Sequence, residues 1–206
     1  DCPFSKRLAD GEGLPVIVVD EEIYRRLPSL LIATVDKFAQ VAAGLATAGP
    51  DFIEVNISCP NVHDEFGSPF AASADAAAEV TVAVKQAVAG RVPVLVKLSP
   101  NVTDIAAIAR AVESAGADGI SAINTVGPEV FRESVTGLPI LGNPTGGKGG
   151  KSGEWIRAAA RLRVAEVRSA VGPEVPIIGM GGIQTWRDAV EFMLAGASAV
   201  AVGTAL

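Results

Sequence analysis

Apolar runs alternate with Ala-rich, helix-like segments along most of the chain. Three of the helix-like segments end at similar sequences, namely Ala48-Gly-Pro-Asp-Phe-Ile53, Ala115-Gly-Ala-Asp-Gly-Ile120 and Ala195-Gly-Ala-Ser-Ala-Val200. Gly after a helical pattern is typical of a helix end, and the apolar run that follows is typical of a strand. Two more apolar runs, 92–98 and 175–180, follow helical stretches at residues 73–89 and 154–170. The pattern predicts five βα units from residue 40 onward.

The predicted strands are hydrophobic at consecutive positions rather than at alternate ones. Strands of this kind are buried on both faces, as in parallel sheets that are covered by helices. We therefore predict the α/β fold class, and five βα units make up most of a (β/α)₈ barrel, also called a TIM barrel. A doubly wound open sheet is the structural alternative.

The first 39 residues are more charged than the rest, and their two apolar runs, 14–20 and 30–36, predict two short strands. We divide the chain into a separate N-terminal segment, residues 1–39, and a partial barrel, residues 40–206. The sequence stops at Leu206, directly after an apolar run, where a barrel has a covering helix. We therefore expect an incomplete barrel that is truncated at both ends.

Composition narrows the function classes. The chain has 206 residues, 49% of them apolar, which suffices for one core of good size. Its net charge is −6 and its Lys and Arg are scattered among carboxylates, so no nucleic-acid partner is expected. Its two cysteines fit neither a disulfide framework nor a metal spacing, which favours the cytoplasm and no metal site. The apolar runs are shorter than the roughly 20 residues of a membrane span, so no membrane partner is expected.

Polar residues follow the ends of the predicted strands. Ligands of parallel α/β proteins bind beyond the carboxyl ends of the strands, so these residues are candidate site residues. The run Asn56-Ile-Ser-Cys-Pro-Asn61 places a thiol between two amides directly after a strand. The glycine pair Gly181-Gly182 and the turn Gly203-Thr204 would let backbone N–H groups approach a phosphate. Amide side chains suit a planar heterocycle with C=O and N–H edges.

Six motifs give the chain a specific resemblance over residues 40–206: Asn56-Ile-Ser-Cys-Pro-Asn61, Val96-Lys-Leu-Ser-Pro-Asn-Val-Thr-Asp104, Ile123-Asn-Thr125, Gly150-Lys-Ser-Gly153, Ile178-Gly-Met-Gly-Gly182 and Val202-Gly-Thr204. In this order they resemble the class 1 dihydroorotate dehydrogenases, and class 1B in particular. The resemblance implies an FMN-binding TIM barrel that oxidises dihydroorotate to orotate in pyrimidine synthesis.

The resemblance also implies a role for each matching residue. Cys59 matches the catalytic base, which takes a proton from C5 of dihydroorotate while a hydride leaves C6 for the flavin. Asn56, Asn61, Asn124 and Thr125 match substrate-binding positions. Lys97 matches a cation beside the flavin ring. The other residues that match cofactor-binding positions are Asn56, Ile123, Gly153, Gly181, Gly182, Gly203 and Thr204.

For class 1B, the resemblance implies a partner subunit that carries FAD and a 2Fe-2S cluster and passes electrons to NAD. It also implies a homodimer or a heterotetramer. Residues 1–36 do not match the first βα units of the family, and residues 16–39 look like a fragment of a helicase-type ATPase. A truncated barrel without activity is therefore one alternative, and exposed strand edges would make it prone to aggregation.

Two further alternatives concern the chemistry. The glycine-rich segment 146–153 nearly fits a P-loop, but one alignment has Gly149 where Ser or Thr is needed and the other has Thr145 where Gly is needed. Dihydropyrimidine dehydrogenase domains share the barrel and the Cys but typically have His where this chain has Asn61. His63, the only histidine, lies in a charged loop beside Asp64 and Glu65, and we expect it to be solvated.

Overall fold

The computed structural model describes residues 35–57, 70–143 and 146–203, and it confirms the predicted α/β architecture. The helices are α1 (Val35–Thr47), α2 (Ala74–Val88), α3 (Ile105–Ser114), α4 (Arg157–Ala170) and α5 (Trp186–Leu194). The strands are β1 (Ile53–Asn56), β2 (Val94–Leu98), β3 (Gly119–Ala122), β4 (Val126–Val130), β5 (Lys148–Lys151), β6 (Ile177–Met180) and β7 (Ala199–Ala201). Short 3₁₀ helices occupy Phe70–Ala72 and Glu154–Ile156. Residues 14–20 and 30–34 of the two expected N-terminal strands, and Cys59, Asn61, His63 and Thr204, lie outside the described residues. Val35 and Asp36, which were expected to end the second strand, are the first residues of α1.

The main sheet is parallel, and its strand order distinguishes the two expected architectures. Its five strands lie in the order β1-β2-β3-β6-β7, so each strand pairs with the next parallel strand in the chain. A doubly wound sheet reverses its order at a switch point, whereas a (β/α)₈ barrel proceeds in one direction. The helices also pack against each other in chain order, from α1 to α5. The described strands therefore form part of a barrel, and the doubly wound alternative does not fit.

The register of the strands divides the sheet into two faces. Val55, Val96, Ile120 and Ile177 are paired across four strands, and all of them are buried. They belong to the helix-facing side of the sheet, because Gly179, an alternate position on β6, lies against Phe192 of α5. The next residue on each strand points to the opposite side. That row contains Asn56, Lys97, Ser121, Ile178 and Ala199, and it faces the barrel interior.

Local signals in the sequence account for the helix boundaries. Ser73, Asp104 and Thr185 each precede a helix, and each side chain accepts a hydrogen bond from a backbone N–H of the first turn. The C-terminal ends of α1, α3 and α5 are followed by the glycines of the three repeated sequences. Among the described residues, no helix is long and apolar enough to cross a membrane.

One element was missed by the sequence analysis. Strands β4 and β5 form an antiparallel hairpin between β3 and α4, and the hairpin contains the segment that nearly fits a P-loop. Gly149 and Lys148 pair with Glu129 and Val130 in this ladder. A P-loop is a turn between a parallel strand and a helix, so the paired glycines do not form one. The P-loop alternative is therefore wrong.

Candidate functional site

A cavity of about 380 Å³ lies where the carboxyl ends of the parallel strands meet. Polar groups and backbone glycines line one part of it, and apolar side chains line the rest. The cavity therefore has the mixed character of a site for a large, partly polar ligand. Its lining consists of Glu54, Lys97, Ile123, Asn124, Thr125, Ser152, Gly153, Ile156, Met180, Gly181, Gly182, Ile183, Gln184, Ala201, Val202 and Gly203.

The structure brings most of the predicted site residues to this cavity. Eight of the twelve line it: Lys97, Ile123, Asn124, Thr125, Gly153, Gly181, Gly182 and Gly203. Asn56 lies next to the lining, because its Oδ1 accepts a hydrogen bond from Asn124 Nδ2 at 3.1 Å. Cys59, Asn61 and Thr204 lie outside the described residues. The binding roles of all twelve residues stay predictions.

The cation at the cavity has a partner that the sequence analysis missed. Lys97 Nζ lies 3.2 Å from Glu54 Oε1 on the neighbouring strand. Only 19% of the Lys97 side chain and 29% of the Glu54 side chain are exposed, so solvent screens this pair less than a surface pair. Glu54 precedes Asn56 by two residues, and alternate residues of a strand share a face. That spacing was a usable signal for Glu54.

A second missed residue holds the polar loop after β3. Asn101 Nδ2 donates to the carbonyl of Thr125 at 3.0 Å, and the N–H of Gly127 donates to Asn101 Oδ1 at 2.9 Å. The backbone N–H of Thr125 donates to Asn124 Oδ1 at 2.9 Å. The amides of Asn56, Asn101 and Asn124 therefore fix the backbone and side chains that project towards the cavity.

Three glycines allow the backbone itself to line part of the cavity. Gly153, Gly181 and Gly182 have φ values of 76°, 129° and 76°, a region that L-residues with side chains rarely adopt. A Cβ on Gly181 would lie 2.7 Å from Ala160 Cβ, and a Cβ on Gly182 would collide with the carbonyl of Gly153. The two glycine segments therefore touch each other backbone to backbone. Only glycine fits at these positions.

The helices that follow these glycines begin differently. The 3₁₀ helix Glu154–Ile156 leads directly into α4, since the N–H of Arg157 donates to the Glu154 carbonyl. Its own start at Gly153 has no side-chain cap. At the start of α5, Thr185 and Asp188 form a capping box. Backbone N–H groups at an uncapped helix start can bind an anion. The described residues thus contain a wall suited to a phosphate.

Asp188 orders the segment that joins Gly182 to α5. Its Oδ2 accepts hydrogen bonds from the backbone N–H of Gln184 at 3.1 Å and of Thr185 at 2.9 Å, and from Thr185 Oγ1 at 2.9 Å. Its Oδ1 lies 3.1 Å from Arg157 Nη1 on α4. The bond from the Gln184 N–H, followed by those from Thr185 and the charge of Arg157, lowers the pKa of Asp188 against the opposing effect of burial. Asp188 is therefore ionised at neutral pH.

Comparison with known families agrees with the motifs. The model of the family described as dihydroorotate dehydrogenase matches residues 26–206. The chain belongs to the dihydroorotate dehydrogenase family. Among the described residues, the match takes in every parallel strand and the whole cavity.

Curated dihydroorotate dehydrogenases are similar to the chain at high identity. The catalytic subunit of dihydroorotate dehydrogenase B (NAD(+)) from Geobacillus kaustophilus is 52% identical over 175 residues, 84% of this chain and 53% of that protein. The corresponding subunit from Desulforamulus reducens is 51% identical over 176 residues, 84% of this chain and 54% of that protein. The subunit from Methanosarcina acetivorans is 44% identical over 204 residues, 98% of this chain and 60% of that protein.

These relatives confirm the predicted resemblance to class 1B, since each is named as a B-type catalytic subunit. The chain spans about half the length of the curated relatives it matches. The match to the dihydroorotate dehydrogenase family begins at residue 26, and α1 (Val35–Thr47) continues across the division expected between residues 39 and 40. The interpretation of residues 1–39 as a separate segment stays a prediction.

Proposed function

We propose that this chain supplies the FMN and substrate site of a dihydroorotate dehydrogenase, which oxidises dihydroorotate to orotate in pyrimidine synthesis. The observation that carries the proposal is the convergence of Lys97, Asn124 and the turns at Gly153 and Gly181-Gly182 on one cavity. The ammonium group of Lys97, the side-chain amide of Asn124 and the backbone N–H groups of the glycine turns are donors that suit a flavin mononucleotide. The family match supports the same reaction.

The residues of the cavity fit FMN in two parts. Gly153, Gly181, Gly182, Gly203 and Thr204 would hold the phosphate through backbone N–H groups, which glycines leave accessible to an anion. Lys97 would lie beside the ring system, with Ile123 packed nearby and Asn56 as a polar contact. Bound there, FMN supplies the hydride acceptor for the reaction. The positive charge of Lys97 would then favour the negative charge that develops on reduction.

The substrate would be oriented by the amides. Asn124 and Asn56 are already joined by a hydrogen bond, and Asn101 fixes Thr125, so their donors and acceptors are held in place before binding. Asn61 completes the proposed set. Cys59 follows Asn56 by three residues, and its thiolate would take the proton from C5 of dihydroorotate. A free thiol has a pKa near roughly 8.5, so this base gains strength as the pH rises.

The partner and compartment follow from the same proposal. The relatives are named as catalytic subunits of an NAD(+) enzyme, which supports a separate electron-transfer subunit. We propose that this subunit carries FAD and a 2Fe-2S cluster, and that the assembly is a homodimer or a heterotetramer. The two cysteines of the chain favour the cytoplasm.

The test is the visible absorption spectrum of the purified chain after addition of FMN and desalting, followed by anaerobic dihydroorotate. We expect bound flavin that bleaches. Absence of retained flavin would contradict the proposal for this chain, and flavin that stays oxidised would indicate another substrate, such as a dihydropyrimidine. In the Cys59→Ser variant, bleaching should slow far more than orotate binding weakens. Equal losses in both would contradict the role of Cys59 as base.

A further inference from the structure

The two glycine segments of the cavity lead into neighbouring helices. Gly153 and the 3₁₀ helix Glu154–Ile156 precede α4, and the segment from Gly181 to Gln184 precedes α5. The segments are in direct backbone contact, because no Cβ fits between Gly182 and the Gly153 carbonyl. Any change in the separation of α4 and α5 at this end therefore changes the shape of the part of the cavity that Gly153, Gly181 and Gly182 line.

One ion pair joins the two helices at this end. Arg157 is the first residue of α4, and its Nη1 lies 3.1 Å from Asp188 Oδ1 in the first turn of α5. The Asp188 side chain is only 11% exposed, and its other oxygen holds the N–H groups of Gln184 and Thr185. The pair thus links the start of α4 to the backbone of a segment that lines the cavity. Neither Arg157 nor Asp188 lines the cavity itself.

A second ion pair between the same helices lies one turn further from the cavity. Arg161 Nη1 pairs with Glu191 Oε2, and the two side chains are 46% and 49% exposed. Exposed pairs of this kind contribute little to stability. The chain therefore provides its own control, with an Arg and a carboxylate on the same two helices, neither of which lines the cavity.

We propose that Arg157 and Asp188 are positioning residues that clamp the two glycine segments at the separation required for the flavin phosphate. This inference rests on the proposed function, since it concerns the phosphate end of the same site. The clamp acts through the backbone of Gly153 and Gly182 and not by contact with the ligand. Loss of the clamp should therefore weaken the recognition of the phosphate and leave the recognition of the ring system unchanged.

The direction in which one substitution changes the affinity for the phosphate distinguishes the clamp from a simple charge effect. Asp188→Asn removes a negative charge near a binding site for an anion, so electrostatics alone predicts tighter binding of the phosphate. The clamp predicts weaker binding. An Asn side chain has one oxygen, which can still accept from the N–H groups of Gln184 and Thr185, and one amino group, which would face the Arg157 guanidinium donor to donor. The substitution therefore breaks the ion pair and retains the helix cap.

The experiment compares FMN with riboflavin, which lacks the phosphate. Dissociation constants of both are measured by flavin fluorescence in the full chain, with thermal unfolding of each variant measured in parallel. In Asp188→Asn we expect the preference for FMN over riboflavin to fall roughly five- to tenfold. A change of this size lies within the interaction energies measured for residues that share one ion-pair network. The control Glu191→Gln makes the same charge change and should leave the preference within about twofold of wild type.

Each outcome of this experiment either supports or overturns the clamp. An unchanged or increased preference for FMN in Asp188→Asn, or an equal fall in Glu191→Gln, would overturn the clamp and leave the proposed function intact. A wild-type chain that binds neither flavin would overturn the proposed function and this inference with it. If Asp188→Asn does not fold, Arg157→Gln is compared with Arg161→Gln. A fall in the preference for FMN only in Arg157→Gln, restored in part by Arg157→Lys, supports the clamp, and equal behaviour of the two Gln variants overturns it.

Discussion

The two faces of the parallel sheet are built from neighbouring residues and have opposite characters. On the helix-facing side, Val96 and Leu98 are completely buried and belong to the hydrophobic core. On the cavity-facing side of the same strand, Lys97 is partly exposed and paired with Glu54. The period of two along a strand therefore separates the groups that stabilise the barrel from the groups that line its site. Substitutions one residue apart should have different consequences.

The largest effect on stability is expected on the helix-facing side. Leu98→Ala deletes a fully buried side chain and leaves a cavity, so the free energy of unfolding should fall by about 2–5 kcal/mol. Urea unfolding followed by circular dichroism measures the change. The matched control is Leu162→Ala on α4, whose side chain is 60% exposed and should cost less than about 0.5 kcal/mol. Similar losses in the two variants would contradict the division into two faces.

The neighbouring residue should show the reverse behaviour. Lys97→Met keeps the aliphatic stem and removes the charge that pairs with the partly buried Glu54, so the free energy of unfolding should fall by less than it does in Leu98→Ala. Reduction of bound flavin by dihydroorotate should slow roughly 100-fold, because a positive charge is lost where negative charge develops. Stopped-flow absorbance measures this rate. A normal rate, or a stability loss as large as that of Leu98→Ala, would sink the assignment of Lys97 to the site.

Glycines allow a third comparison of the two sides. A Cβ on Gly179 would lie 2.8 Å from Phe192 Cδ1 and 3.0 Å from Ala197 Cβ, so Gly179→Ala should overpack the helix-facing side and destabilise by about 1–3 kcal/mol. A Cβ on Gly203 would meet no atom of the described residues within 4 Å, and Gly203→Ala should unfold at nearly the wild-type temperature. Scanning calorimetry of both variants checks the difference. A larger loss in Gly203→Ala would refute it.

The fold was predictable where the chain determines it locally. Each parallel strand is an apolar run that follows a helix end, and these signals lie within a few residues of one another. The hairpin of β4 and β5 was not predictable, because Gly149 and Gly150 have low strand propensity and Gly149 pairs with the distant residue Glu129. A Cβ on Gly150 would collide with the side chain of Thr125, so the hairpin favours glycine there. Such contacts exist only in the folded chain.

The site divides in the same way. Lys97, Asn124 and the glycines were found because they follow predicted strands, and the parallel order of those strands brings their ends together. Asn101 and Arg157 were missed because their partners lie on other elements. Asp188 had a local signal, since Thr185 and Asp188 have the spacing of a capping box directly before an apolar helix. The ion pair between Asp188 and Arg157 of α4 had no such signal in the sequence.

Acid should act on the polar loops and spare the apolar side of the sheet, and this is the smallest expected effect. Glu133, at the tip of the hairpin, accepts hydrogen bonds from the N–H groups of Val135 at 2.9 Å and of Thr136 at 2.6 Å. These bonds lower the pKa of Glu133 from 4.5 to about 2. A lowered pKa in the folded state means that the carboxylate contributes stability above pH 4.5 and loses it as the pH falls towards 2.

Glu133→Gln should therefore flatten the fall in unfolding temperature over this acid window. The Gln side chain keeps an acceptor oxygen but has no charge to lose, so the variant should be slightly less stable than wild type at pH 7, and this difference should shrink as the pH falls from 4.5 towards 2. Thermal melts at intervals of half a pH unit measure the difference. Glu79→Gln, an exposed carboxylate on α2, is the control and should run parallel to wild type. If both variants flatten the curve alike, the acid response belongs to overall charge and not to the Glu133 turn, and the polar loops would then be no more sensitive to acid than the rest of the surface.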